Sequence, residues 1–308
     1  MKVCILGSGV MGSGIVSLFS QLEEVSEILW WGQKLNSLEV SLVKVKKEVT
    51  RYAKKNSLSK EFVDKFLLKI RFCSSFSDLT NCDLYIEAIV EELEAKSKLF
   101  SELSEFIPGH AVVATNTSSL SVTALAMRIN IPSNFIGIHF FNPTSVMKLV
   151  EVVKGLTTSK EIFERVIKVV KALDKVPVVV NESPGFIVNR MLIPMINEAV
   201  SILAEGVGSK EDIDNAMKYG ANHPIGPLAL SDLIGNDVCL SIMEALHSET
   251  GDSKYRAHPL LRQYVRAGFL GRKSKKGFFE YFSCKTGQPM GAKNFSWSAA
   301  LYLDLVLN

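Results

Sequence analysis

The chain begins with an apolar strand, a glycine-rich turn and a helix, and this order constrains the fold more than any other part of the sequence. Lys2 to Leu6 form a short apolar and partly β-branched run that is typical of a buried strand. Gly7, Gly9 and Gly12 follow with GxGxxG spacing, and apolar residues then recur at helical spacing. This combination predicts an α/β fold of the Rossmann type, in which helices cover a largely parallel sheet.

The three glycines indicate what the turn binds. Gly7 permits a tight turn, Gly9 lets the backbone approach a pyrophosphate, and Gly12 allows the helix to pack on the strand. The helix begins near Val10 and Met11, and its N-terminus supplies N–H donors and a partial positive charge. We therefore expect these five residues to contact a dinucleotide cofactor.

The end of the second strand bears on which dinucleotide is bound. After a strand such as SEILWW, an NAD-binding fold of this type usually has an acidic residue that binds the ribose 2′-hydroxyl. Here the chain has Gly32 and Gln33, with Lys34 next to them. A carboxylate would repel the 2′-phosphate of NADP, and that repulsion is missing. NAD and NADP both remain open, with Gly32 and Gln33 as expected contacts.

Composition excludes several other classes of protein. The 308 residues are 47% hydrophobic, and the net charge of +3 gives no reason to expect a nucleic-acid partner. The five cysteines include no CxxC pair, so we predict neither a disulfide framework nor a metal site. Apolar runs stay below the roughly 18 residues of a membrane span. The first strand starts at residue 2, which leaves no room for a signal peptide, and we expect a cytoplasmic protein.

Polar side chains stand directly after several predicted strands. The apolar runs concerned are CDLYIEAIV (82–90), AVVATNTSSL (111–120) and NFIGIHFFNP (134–143), and VPVVV (176–180) is the last strand. Ser118 lies in the polar end of the second run, and His139 lies near the end of the third. Because open α/β sheets bind ligands at the carboxyl ends of their strands, we expect a site at this edge.

Two helices are predicted after the second strand. Apolar residues recur at helical spacing from Leu38 to Tyr52. Ser59 is a suitable N-cap for a second helix that carries Phe62 and Ile70.

The first of these helices is strongly basic. From Lys44 to Lys60 the chain has seven Lys or Arg residues and one acid, Glu48. One interpretation is a solvated helix face. The other is a surface that attracts a phosphorylated substrate tail.

The sequence becomes helical near residue 183. Ser183 suits an N-cap and Pro184 the first position of a helix, and helical patterns continue to the end of the readable region. We predict a dinucleotide-binding domain over 1–183, an all-helical domain over 184–282 and a tail of unknown role over 283–308.

Five longer motifs resemble one enzyme family. They are GSGVMGSGI, NTSSLSV, GIHFFNPTSVMKLVEVVKG, SPGFIVNRMLIPMINEA and HPIGPLALSDLIG, in that order along the chain. Together they resemble the short-chain L-3-hydroxyacyl-CoA dehydrogenases, which include bacterial 3-hydroxybutyryl-CoA dehydrogenases. The resemblance runs from residue 2 to about 282. It implies an oxidoreductase of fatty acid metabolism that exchanges hydride between a nicotinamide and a 3-hydroxyacyl thioester, and a helical C-terminal domain that forms a homodimer.

The resemblance assigns catalytic roles to four residues. His139 matches the catalytic histidine, and its chemistry agrees, since loss of hydride from C3 makes the 3-hydroxyl acidic and a base must take its proton. Glu151 matches the carboxylate that holds this imidazole, and its apolar surroundings require a partner for its charge. Ser118 and Asn189 match residues that contact the substrate near the reacting carbon. Asn189 is expected within a helix, where its low helix propensity favours a side-chain role.

Further contacts are implied by resemblance alone. Those expected at the cofactor, in addition to the glycine turn and Ser118, are Glu91, Lys96, Asn142 and Lys273. Lys55 fits a lysine that contacts coenzyme A, and it is the third expected substrate contact beside Ser118 and Asn189. Two positions depart from the family. Gly32 replaces the ribose-binding Asp, and Glu48 stands where a serine would contact coenzyme A.

These departures leave several functions open. A small-molecule acyl thioester of coenzyme A is the leading substrate, because the basic helix also suits its phosphates. An acyl carrier protein presents the same thioester without the adenine nucleotide. A free hydroxy acid is the alternative substrate for the same chemistry. A dinucleotide-binding protein without catalytic activity is the alternative of another class.

Overall fold

A computed structural model describes residues 1–279 of the chain. This part divides into two compact units, the first spanning Met1–Ser183 and the second beginning at Pro184. The predicted tail over 283–308 lies outside the described residues. Each unit has a hydrophobic core of its own.

The first unit alternates strands and helices. Its strands are β1 (Lys2–Leu6), β2 (Glu27–Trp31), β3 (Ile70–Cys73), β4 (Leu84–Glu87), β5 (Val112–Thr115), β6 (Phe135–Phe140), β7 (Leu149–Lys154) and β8 (Val176–Asn181). Its helices are α1 (Val10–Ser20), α2 (Leu35–Lys55), α3 (Lys60–Leu68), α4 (Leu93–Leu103), α5 (Val122–Ala126) and α6 (Lys160–Ala172).

The eight strands form one sheet in the order β3-β2-β1-β4-β5-β6-β7-β8. Neighbouring strands are parallel except β6 and β7, which are antiparallel. The first six strands have the order of a doubly wound dinucleotide-binding sheet, in which the direction of strand order reverses between β1 and β4. The predicted Rossmann-type fold is confirmed.

Helix burial explains how the sheet is covered. The interior side of α2 is apolar at Leu38, Val45 and Val49, which are fully buried. Its other sides carry the exposed basic residues, as the helical spacing predicted. These faces join the strand side chains in one core.

The region after α2 differs in one respect from the prediction. Ser59 is the N-cap of α3, as expected. The helix ends at Leu68, however, and Ile70 begins β3 instead of continuing the helical face. Periodicity alone could not separate the two states here, because Ile70 is β-branched and suits a strand equally well.

The second unit is helical throughout its described part. Its helices are α7 (Val188–Ala204), α8 (Lys210–Asn215), α9 (Pro227–Ile234), α10 (Asn236–Thr250) and α11 (Pro259–Arg266). Their apolar sides pack around a core that includes Ile196, Leu228, Met243 and Leu261. In residues 1–279 no helix is both long enough and apolar enough to cross a bilayer.

The start of the second unit corrects the predicted helix boundary. Ser183 and Pro184 are not the cap and first turn of α7, which begins at Val188. Gly185 and Phe186 have φ values of +69° and +53°, so the backbone passes through the left-handed region first. A Cβ on Gly185 would lie 2.8 Å from the Leu246 side chain, which explains a glycine at this close contact.

Candidate active site

The glycine turn after β1 is shaped by two close backbone contacts. Gly7 has a φ of +124°, and a Cβ there would lie 2.4 Å from the carbonyl oxygen of Ala88. A Cβ on Gly12 would lie 2.1 Å from the carbonyl oxygen of Gly7. Both positions therefore exclude any side chain.

The middle glycine of the turn has a different role. A Cβ on Gly9 would meet no heavy atom of residues 1–279 within 4 Å, so this position faces open space. Gly9 is the N-cap of α1, and Val10 and Met11 form its first turn. An open glycine at a helix N-terminus is a cradle in which a side chain would obstruct a bound pyrophosphate. The residues present thus fit a dinucleotide.

The end of β2 provides little room for an acidic side chain. Gly32 is buried, and a Cβ on it would lie 3.1 Å from two atoms of Leu38, which is itself fully buried. Gln33 and Lys34 are exposed beside it. Position 32 therefore lacks an acidic side chain, and the side chain of Leu38 packs against it.

His139 and Glu151 form a buried pair across the β6–β7 ladder. They are direct partners in the antiparallel register, and Nδ1 of His139 lies 2.8 Å from Oε2 of Glu151. Glu151 is fully buried, whereas His139 keeps 7% of its surface exposed. Because the carboxylate can only accept, it assigns the proton of the neutral imidazole to Nδ1 and leaves Nε2 as the basic nitrogen. The ring of Phe141 packs 4.4 Å from the imidazole, between centroids.

Glu91 holds the loop after β5 that carries Ser118. Its Oε1 accepts hydrogen bonds from the Ser118 N–H at 2.8 Å and the Thr117 hydroxyl at 2.5 Å, with longer ones from the Ser118 hydroxyl and from Ser119. Its Oε2 lies 3.1 Å from Nζ of Lys96. Burial alone would raise the pKa of Glu91, but Lys96 and these hydrogen bonds together lower it.

Lys96, a predicted cofactor contact, is fully buried. Its Nζ lies 2.6 Å from Oε1 and 2.8 Å from Oε2 of Glu87. Glu87 ends β4 and also accepts hydrogen bonds from the Thr115 hydroxyl and the Ile89 N–H. Burial raises the pKa of Glu87, although Lys96 and these hydrogen bonds oppose the rise. Lys96 thus contacts two carboxylates, those of Glu87 and Glu91.

A second carboxylate fixes the far end of the Ser118 loop. Glu182, just beyond β8, accepts hydrogen bonds from the Ser121 hydroxyl at 2.6 Å and from the N–H and hydroxyl of Thr123. Ser121 is the N-cap of α5, so Ser118 is not the helix cap. The loop is thus held at one end by Glu91 and at the other by Glu182.

The loop between β6 and β7 follows the strand that carries His139, and it packs against α1, the helix after the glycine turn. Asn142, one of the predicted cofactor contacts, is exposed there and precedes a cis Pro143. Thr144 packs against Gly14 of α1, where a Cβ would lie 2.4 Å from the Thr144 hydroxyl oxygen. Lys175 is buried under the loop, and its Nζ donates to the carbonyl oxygens of Thr144 and Met147.

The basic helix α2 lies in the first unit with its charges exposed. The six Lys and Arg residues of α2 from Lys44 to Lys55 are exposed, as is Lys60, the first residue of α3. Glu48 is half-buried, and burial raises its pKa against the opposing effects of Arg51 and Ser17. One oxygen of Glu48 is buried without a hydrogen-bond partner within the described part of the chain. The predicted solvated face is present, and its role as a binding surface remains a prediction.

Two predicted site residues belong to the second unit. Asn189 is the second residue of α7, so it lies in the first turn and not in a helix interior. Lys273 is exposed and forms an ion pair of 2.6 Å with Asp237. Their roles toward substrate and cofactor remain predictions.

Four residues that organise the site were not predicted from the sequence. They are Glu87, Thr115, Lys175 and Glu182. Glu87 had a usable signal, because a lone carboxylate in the apolar run LYIEAIV requires a buried partner. Among residues 1–279, no three His, Cys, Asp or Glu side chains are grouped to hold a metal ion.

Comparison with known proteins agrees with this architecture. A family model described as 3-hydroxyacyl-CoA dehydrogenase, NAD binding domain, matches residues 2–183. The 3-hydroxyacyl-CoA dehydrogenase C-terminal domain matches residues 185–281. The chain belongs to the 3-hydroxyacyl-CoA dehydrogenase family. The predicted family is therefore confirmed, and the NAD-binding domain supports NAD(H) as its cofactor.

Relatives resemble the chain over most of their length. It is 49% identical to a 3-hydroxybutyryl-CoA dehydrogenase of Clostridioides difficile, over 91% of this chain and 99% of the relative. It is 38% identical to the human mitochondrial hydroxyacyl-coenzyme A dehydrogenase, over 91% of this chain and 90% of the relative. The crystal structure of (S)-3-hydroxybutyryl-CoA dehydrogenase from Ralstonia eutropha superposes with a TM-score of 0.86 at 40% identity, covering 92% of this chain and 99% of that one.

Proposed function

We propose that the chain interconverts a 3-hydroxyacyl-CoA and its 3-oxoacyl form by hydride exchange with a nicotinamide dinucleotide. The observation that carries this proposal is the buried His139–Glu151 pair, with 2.8 Å between Nδ1 and Oε2, at the ligand-binding edge of a dinucleotide-binding sheet. Relatives named 3-hydroxybutyryl-CoA dehydrogenase support the coenzyme A thioester as substrate.

The side chains account for the proton that accompanies the hydride. A dinucleotide held at the glycine turn would supply the acceptor for the hydride of C3. Nε2 of His139 takes the proton of the 3-hydroxyl, and the imidazolium that forms is stabilised by the Glu151 carboxylate behind it. We assign the Ser118 hydroxyl, which donates to Glu91 at 3.2 Å, to hydrogen-bond the substrate oxygen. Asn189 is assigned the same task on family resemblance.

The test is direct reduction of a 3-oxoacyl thioester. Purified protein is mixed with acetoacetyl-CoA and NADH, and the loss of reduced-nicotinamide absorbance is followed. Turnover is expected with the thioester. Turnover with free acetoacetate alone would replace the proposal by a hydroxy-acid dehydrogenase, and cofactor binding without turnover would leave a non-catalytic binding protein.

His139→Gln separates the chemical role of the imidazole from cofactor binding. We expect kcat to fall about 10²- to 10⁴-fold, the usual contribution of a general base, with NADH affinity nearly unchanged. Full activity in this variant would remove His139 as the base. His110→Gln is a matched control, because His110 is largely exposed and lies just before β5, at the amino end of that strand. His139 lies near the carboxyl end of β6.

We propose in addition that NADP(H) is accepted beside NAD(H). The support is Gly32 at the end of β2, with Leu38 packed beneath it and Lys34 exposed nearby. No carboxylate at position 32 repels a 2′-phosphate. Dissociation constants for NADH and NADPH test this, and a more than hundredfold preference for NADH would refute it.

An acyl carrier protein is the second candidate for the thioester carrier. The observation in its favour is the exposed basic surface of α2, which could meet an acidic partner. Kinetic constants for acetoacetyl-CoA and acetoacetyl-acyl carrier protein decide between them. A lower KM for the carrier-bound substrate, lost at high salt, would favour the carrier protein.

We also propose that the chain forms a homodimer through its helical unit. The support is a set of large apolar side chains exposed on that unit, at Met191 (72%), Val207 (73%) and Tyr219 (80%). Light scattering after gel filtration is expected to give twice the chain mass. A monomer at micromolar concentration would refute the proposal.

A further inference from the structure

Three charged residues that proton transfer does not use lie together at the end of β4. Glu87 is the last residue of the strand, Glu91 lies in the loop that follows, and Lys96 is on α4. Glu87 and Lys96 are both fully buried, and Lys96 also reaches Glu91. We call these three residues the Glu87–Lys96–Glu91 cluster. It contains two carboxylates and one ammonium, so its net charge is negative when all three are ionised.

The contacts of Glu87 favour its ionised form. Its two oxygens accept hydrogen bonds from the Lys96 ammonium, the Thr115 hydroxyl and the Ile89 N–H. The ammonium and the N–H can only donate, and the Thr115 hydroxyl donates as well when Glu87 is ionised. Burial raises the pKa of Glu87 and opposes these contacts. The charge of the cluster is taken as that of the ionised form, which the hydrogen-bond geometry favours.

The order of strands places this charge along the path of the cofactor. The pyrophosphate cradle follows β1, and His139 lies at the end of β6, where the reacting carbon must meet the nicotinamide. In the sheet, β4 and β5 lie between β1 and β6. Three strand steps of about 4.8 Å separate them. A dinucleotide that reaches from the cradle to His139 therefore crosses the ends of β4 and β5, and the cluster lies at the first of these.

We propose that the net negative charge of the Glu87–Lys96–Glu91 cluster makes the site bind the oxidised nicotinamide more tightly than the reduced one. The nicotinamide ring carries one positive charge when oxidised and none when reduced, while the rest of the dinucleotide keeps its charge. A fixed negative charge nearby therefore discriminates between the two forms. Burial protects this effect from screening by salt. The inference rests on the proposed function, since it requires the nicotinamide to lie at this edge.

The measured quantity is the ratio of two dissociation constants, Kd for NAD⁺ divided by Kd for NADH. Titration calorimetry gives the first, and NADH fluorescence gives the second, both on the full chain without acyl substrate. A residue with a structural role alone would shift both constants together and leave the ratio unchanged. The ratio thus isolates the effect of charge.

Three variants change the cluster charge in a defined way. Glu87→Gln removes one negative charge, and we expect the ratio to rise about three- to tenfold. Lys96→Met removes the positive charge, and the ratio should fall by a similar factor. The double variant Glu87→Gln/Lys96→Met restores the native net charge, so its ratio should return to the native value even if both affinities are weaker.

Two further variants complete the design. Glu91→Gln removes a negative charge from the more exposed side of the cluster, and it should raise the ratio as Glu87→Gln does. This variant tests the proposal even if Glu87→Gln or Lys96→Met fails to fold. Glu102→Gln lies on the same helix α4 in an exposed pair with Lys98 and should leave the ratio unchanged.

The outcomes distinguish this inference from the proposed function. If acetoacetyl-CoA is reduced and both dinucleotides bind, but the ratio does not follow the charge of the cluster, the inference is wrong and the proposed function stands. If the native chain binds neither NAD⁺ nor NADH, both are wrong.

Discussion

Replacing Glu151 by glutamine tests the central pair of the site with the smallest change in shape. The amide keeps the size of the carboxyl but removes the charge that stabilises the imidazolium. A hydrogen bond to a charged group contributes about 1.5–3 kcal/mol. The 2.8 Å contact between fully and nearly fully buried partners belongs in this range. Since about 1.4 kcal/mol corresponds to a factor of ten, we expect kcat to fall about 10- to 150-fold.

The assay is reduction of acetoacetyl-CoA at saturating NADH, with KM measured beside kcat. The KM for the thioester should change little, because Glu151 acts behind the histidine. Glu164→Gln is the matched control, since this glutamate lies on α6 and its side chain is 56% exposed. A Glu151→Gln variant that melts at the native temperature and keeps kcat within threefold would refute the proposed role of the pair.

Three further predictions concern stability and binding. Gly12→Ala would place a carbon 2.1 Å from the Gly7 oxygen, so we expect calorimetry to show a lower Tm and about tenfold weaker NADH binding. Gly9 faces open space, so Gly9→Ala should weaken NADH binding at an unchanged Tm. Burial raises the pKa of Glu48, so its charge destabilises the fold above that pKa; Glu48→Gln should raise Tm by about 2 °C at pH 7 and leave it unchanged at pH 3. Burial lowers the pKa of Lys175 from 10.5 to about 8, so the unfolded chain binds more protons between these values. The free energy of unfolding of the native chain should therefore rise with pH across this window, and that of Lys175→Met should rise less. Urea titrations of both proteins at pH 7.5 and 9.5 measure the difference.

Local patterns predicted the parts of the fold that depend on local chemistry. The strand, turn and helix from Lys2 to Ser20 were readable because each glycine answers a steric demand of the turn. The boundary errors at Ile70 and Pro184 have physical reasons. Ile70 suits either a helix face or a strand. Ser183-Pro184 is typical of a helix start, but the Pro184-Gly185 pair is equally typical of a turn, and the turn is what forms.

The site was predictable where a residue type implied its chemistry. His139 and Glu151 stood out because an imidazole and a carboxylate in apolar runs require partners. Their pairing was expected from the family resemblance alone, because the antiparallel register of β6 and β7 that brings them together has no local signal. The burial of Lys96 was equally hidden, since its partner Glu87 comes from a neighbouring element, nine residues earlier in the chain.

The antiparallel strand β7 has a consequence for how the enzyme works. Because the ladder pairs residues 139 and 151 directly, the backbone keeps the imidazole and the carboxylate within hydrogen-bond reach of each other. The proposed proton acceptor is therefore assembled before any ligand binds. Under the proposed mechanism, no binding energy is needed to bring these two residues together.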